Sequence, residues 1–91
     1  MDRELALRHG VHHFLVMAPA GVQIDLTATR TAGAWTPVLI VHDEQGATVH
    51  DGQKSHSTAA LEVSTFTPSS PDAVGVRLRA ATRKHLGVYL T

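Results

Sequence analysis

The chain has 91 residues, 43% apolar and 18% charged, proportions of one small globular domain rather than of a disordered segment. Eight Lys and Arg balance eight Asp and Glu, which removes the usual electrostatic case for nucleic acid or an anionic membrane as main partner. Cysteine is absent, so a disulfide framework and a thiolate zinc site are both excluded.

In chain order, residues 1–8 predict a short N-terminal edge strand or arm, because Leu5 and Leu7 alternate with Glu4, Ala6 and Arg8. The start is charged and leads into no apolar segment, so no secretory signal is read in it. Phe14-Leu15-Val16-Met17 is a continuous apolar run, read as a strand buried on both faces. Pro19-Ala20-Gly21 is a turn. Val22, Ile24, Leu26 and Ala28 then alternate with Gln23, Asp25, Thr27 and Thr29, a half-buried strand. Val38-Leu39-Ile40-Val41 is a second run read as central and covered on both sides. Asp43-Glu44-Gln45-Gly46 has the composition of a type I turn ending in a left-handed Gly. Thr48-Val49-His50 is a short strand.

Leu61, Val63 and Thr65 alternate with Glu62, Ser64 and Phe66. The two prolines of Pro68-Ser69-Ser70-Pro71-Asp72 break the ladder. Val74, Val76, Leu78 and Ala80 alternate with Gly75, Arg77, Arg79 and Ala81, and Leu86, Val88 and Leu90 follow a polar hairpin tip at residues 81–85. Seven to eight strands at roughly ten-residue spacing, with no helical stretch between them, predict the all-β class. The architecture expected is a small antiparallel β-sandwich, jelly-roll-like, forming one domain over residues 1–91. Its expected core is Phe14, Ile24, Leu26, Ile40, Leu61, Val63, Val76, Leu78 and Val88. No apolar run approaches the ~18 residues that span a bilayer, so no membrane span is expected.

The stretch from Val11 to Ala28, with its aromatic-bearing strand, Pro-x-Gly turn and alternating strand, resembles the opening of bacterial pre-peptidase C-terminal domains. Pro37 to Gly46 resembles that family's next strand and its acidic-to-Gly turn. Val74 to Ala80 and Gly87 to Thr91 resemble its closing hairpin. The resemblance covers roughly His9 to Thr91. It implies a non-catalytic accessory domain of a secreted or periplasmic hydrolase, normally a peptidase, aiding secretion, folding or substrate attachment. The expected partners are the catalytic domain of the parent protein or an extracellular polymer. Family members often carry an acidic stretch before the central strand. Ala34-Trp35-Thr36-Pro37 stands there instead, which puts a calcium role in doubt because a hard cation needs several oxygen ligands.

Other chemistry is thinner. Trp35 is the sole tryptophan and offers a stacking platform for a sugar ring, the basis of an alternative reading as a carbohydrate-binding module. Arg77 and Arg79 share the polar side of one strand and could meet a carboxylate-rich partner, though such residues commonly solvate a sheet face. Seven histidines stand out. His12, His13 and His42 are the candidate zinc ligands, the basis of a reading as a His-based metal protein, but neighbours on a strand point to opposite faces. Asp25 and Glu62 would approach each other only if their strands pair. No hydrolase nucleophile elbow and no phosphate-cradling loop is present, so no enzyme and no cofactor are expected. Because imidazole ordinarily titrates near ~6.5, solubility should be lowest near neutrality and rise in mild acid. A solubility profile flat between pH 7 and pH 5 would contradict this.

Overall fold

The computed structural model describes residues 2–7 (as backbone), 12–30, 36–52 and 54–90. These hold nine strands: β1 (Asp2–Leu7), β2 (His12–Ala18), β3 (Gln23–Arg30), β4 (Leu39–His42), β5 (Thr48–Asp51), β6 (Lys54–Ser55), β7 (Leu61–Phe66), β8 (Ala73–Ala80) and β9 (Lys84–Leu90). They form two sheets, one ordered β1-β3-β8-β7 and the other β2-β9-β4-β5-β6. Neighbours run antiparallel except β1, which joins β3 in parallel at the edge of the first sheet.

The two sheets share one apolar layer, so the molecule is a β-sandwich. From the first sheet come Ile24, Leu26, Ala28, Leu61, Val63, Val76, Leu78 and Ala80. Val16, Ala18, Leu39, Val41, Val49, Leu86, Val88 and Leu90 meet them from the second. Period-two alternation produces this directly: Ile24 to Ala28 on β3, Leu61 and Val63 on β7, Val76 to Ala80 on β8 and Leu86 to Leu90 on β9 place every second, apolar side chain towards the facing sheet. The Asp43–Gly46 turn forms as its composition predicts. Gly46 sits at φ +82°, its N–H donates to Asp43 O over 3.1 Å, and Asp43 Oδ1 accepts from the N–H groups of Gln45 and Ala47, each at 2.9 Å.

Three expectations need correction. The runs at Phe14–Met17 and Val38–Val41 are not covered on both faces. Leu39 and Val41 are buried while Ile40 is half-buried on the outer side, and Leu15 and Met17 are exposed. No third layer covers the second sheet among the described residues, so its strands alternate like any others. Phe14, expected in the core, is only partly buried against it. The closing hairpin does not exist, because β8 lies in the first sheet and β9 in the second. Residues 81–83 therefore cross between layers.

β5 departs from strict alternation. The register against β4 shifts between Val41 and His42, so that Val41 faces His50 while His42 faces Thr48. The extra residue is Val49, and this bulge lets adjacent Val49 and His50 both turn inward. Leu78→Ala should cost about 2–5 kcal/mol through the cavity it leaves. Ile40→Ala should cost about 1 kcal/mol, as for a side chain already half in water. Urea unfolding that ranked the two the other way round would contradict the assignment of the inner face of β4.

Candidate functional site

Arg77 and Arg79 project from β8 on the outer face of the first sheet, where both are exposed. Arg77 grips Asp25 of the neighbouring β3 with two hydrogen bonds, Nε to Oδ1 at 2.8 Å and Nη2 to Oδ2 at 3.0 Å. Its guanidinium also lies 5.1 Å from the centre of the Phe66 ring. That ring covers Gly75, its register partner on β8, so closely that a Cβ there would come within 2.7 Å of it. Arg79 donates to Gly21 O at 3.1 Å. Both arginines thus stitch the sheet and its bordering turn, while still lining a shallow groove with Glu62 and Ser64. Asp25 and Glu62 do not converge, because β8 runs between β3 and β7; in the register, Asp25 faces Arg77 and Glu62 faces Arg79.

The outer face of the second sheet has a different character. His13, Tyr89, Ile40 and Asp51 form one row across β2, β9, β4 and β5, and Leu15, Gly87, His42 and Thr48 form the next. Tyr89 stacks on His13 with ring centres 4.4 Å apart and meets His42 at 4.9 Å. Gly87 leaves the space beneath them: a Cβ there would touch Tyr89, His13 and His42. Next to this cluster Leu15 is 69% exposed and Met17 48%. His13 and His42 therefore share a face with Tyr89 between their strands, whereas His12 falls on the inward parity of β2. Among the described residues no group of three or more His, Cys, Asp or Glu is placed to hold a metal ion. Trp35 lies outside the described residues.

A third feature escaped sequence reasoning altogether. At the end of the sandwich where β5 approaches the β7–β8 connection, a cleft of about 210 Å³ opens between the layers. Leu39, Pro68, Val74 and Val76 wall it, and His50 lines it. His50 is 1% exposed. Its Nδ1 lies 2.9 Å from Ser55 Oγ on β6, so the short β6 strand serves to orient the ring. The bulge that turns His50 inward leaves no mark on composition. Leu15 and Met17 did carry a signal: apolar residues on both parities of one strand mean either a third layer or an open apolar face.

Burial pushes the His50 imidazole below its ordinary value of 6.5, with the Asp51 charge opposing. As pH falls below 6.5 the unfolded chain takes up this proton before the native one. Stability is therefore full above 6.5 and declines as pH falls from there towards the lower native value. Asp25 acts in the same sense further into acid. The hydrogen bonds from Arg77 hold its carboxyl below the ordinary 3.8, so its contribution is present above 3.8 and lost below. Unfolding free energy should accordingly fall between pH 7 and pH 5, and His50→Gln should flatten that slope. An equal slope in the variant would take the effect away from His50.

Comparison with protein-family models, with curated proteins and with solved structures gave no match to this chain.

Proposed function

We propose that this domain is a non-catalytic accessory module of an exported bacterial hydrolase, a peptidase on the resemblance described above. It works by docking the outer face of the second sheet onto the catalytic domain carried in the same precursor. The exposure of Leu15 and Met17 beside half-buried Tyr89 and Ile40 carries this reading. Apolar surface left in water gains about 25 cal/mol per Å² when a partner covers it. Aromatic residues and Met are enriched at the centre of protein interfaces, where Lys and Glu are depleted. A flat sheet face of this kind suits another protein surface better than a small substrate, which needs a concave site. The rim is polar, with His85, whose backbone N–H donates to Glu44 at 2.8 Å, and with Asp51 and Lys54.

The gene's complete reading frame should encode an export leader and a hydrolase domain. In that full-length protein, replacing Leu15 and Met17 together by Ser should reduce exported hydrolase activity several-fold. The unfolding midpoint of the 91-residue domain should stay almost unchanged, as for substitutions at exposed positions. A reading frame without a hydrolase, or full activity in the double variant, would overturn the proposal.

A further inference from the structure

We propose that the cleft at the end of the sandwich, with His50 at its floor, is a binding site for a small uncharged ring compound bearing one hydroxyl group. The walls set the apolar part. Leu39, Pro68, Val74 and Val76 supply aliphatic surface, and the volume of about 210 Å³ suits a single substituted ring, since an apolar cavity of roughly 150 Å³ takes benzene. Among the described residues no Lys, Arg, Asp or Glu lines the cleft, so a charged ligand would be desolvated there without a counter-charge from them.

His50 sets the polar part. Its Nδ1 is engaged by Ser55 Oγ, and no hydrogen bond from the described residues reaches Nε2. Among the described residues, no enclosed side-chain nitrogen or oxygen lacks a hydrogen-bond partner. An unbonded Nε2 is therefore not sealed in, and it opens on the cleft that the ring lines. The Ser55 hydroxyl can donate to Nδ1 or accept from it, so the imidazole can adopt either tautomer without losing that bond. Nε2 can then donate or accept, and a ligand hydroxyl, which also does both, satisfies it in either state. In the empty cleft the bond to Nε2 falls to water. A ligand hydroxyl replaces that water, whereas a bare ring displaces it and leaves Nε2 unpaired, which gives the site selectivity for the hydroxyl over the bare ring.

Two sources present this chemistry, a free phenol and a tyrosyl side chain on a peptide. The test is an NMR titration of the 15N-labelled domain at neutral pH with p-cresol, N-acetyltyrosinamide and toluene. The phenolic probes should give saturable shifts at Leu39, Gly52, Thr65 to Thr67 and Ala73 to Val76, and in the His50 ring nitrogens. Toluene should bind about tenfold more weakly, the equivalent of one hydrogen bond of ~1.4 kcal/mol. Saturation by p-cresol alone identifies a free phenol, and saturation by N-acetyltyrosinamide as well identifies a peptide side chain as an acceptable source. Thr65→Phe, which fills the cleft from the inward parity of β7, should abolish the shifts. His50→Gln, which keeps a hydrogen-bonding group, should retain binding within a few-fold. Failure of both phenolic probes to saturate at millimolar concentration would overturn the proposal, as would equal binding of toluene or unchanged binding in Thr65→Phe.

Discussion

Everything in this domain depends on one thin apolar layer shared by two sheets. It is filled by Ile, Leu, Val and Ala side chains, with no Phe, Tyr or Trp ring fully buried among the described residues. Such a layer tolerates little interruption, because each inward position faces another across a gap close to the ~10 Å spacing of packed sheets. The polar side chain that enters it, His50, does so at its margin, through a bulge and with a hydroxyl waiting for it. The same constraint leaves each sheet with one uncovered side, and the two uncovered sides are finished differently. On the first sheet Arg77, Asp25 and Phe66 lock together over Gly75. On the second, Leu15 and Met17 stand open next to a His–Tyr–His cluster. The functional reading grows from that asymmetry.

Much of the scaffold was legible in the order of residues. Strict alternation located β3, β7 and β8, and Asp43 with Gly46 specified a turn whose hydrogen bonds form as expected. Less legible was anything that depends on what lies across a gap. Val38–Val41 and Phe14–Met17 read as doubly buried because apolar residues occupy both parities, and only the absence of a covering layer among the described residues shows that one parity faces out. The crossing from β8 to β9 uses the same kind of polar segment as a tight hairpin, so composition could not separate the two. The inward turn of His50 was invisible, since it arises from a register shift against β4 and not from its neighbours in sequence. Arg77 was singled out for its charge, but its partner Asp25 is 52 positions away.

Exposed strand edges are the usual weakness of open sandwiches. The outer edge of β7 is occupied by the segment preceding it. Ser57 Oγ both accepts from Val63 N–H at 2.9 Å and donates to Val63 O at 2.8 Å, and Thr58 exchanges backbone hydrogen bonds with Leu61. One hydroxyl thereby satisfies two ladder positions that would otherwise invite a foreign strand. At the opposite edge of the second sheet β6 is only two residues long, which limits the template it can offer.

The position of β9 has a consequence for how this chain comes into being. The strand encoded last is an inner member of its sheet, wedged between β2, whose first residue is His12, and β4. Until Leu90 has cleared the ribosomal tunnel β2 has no lateral neighbour and β4 has only β5. Their apolar stripes must wait in water while nearly the whole domain is synthesised, which makes assembly a late, all-at-once event dominated by distant pairings. Holdase chaperones would have their longest window of access on the segment from Phe14 to Met17.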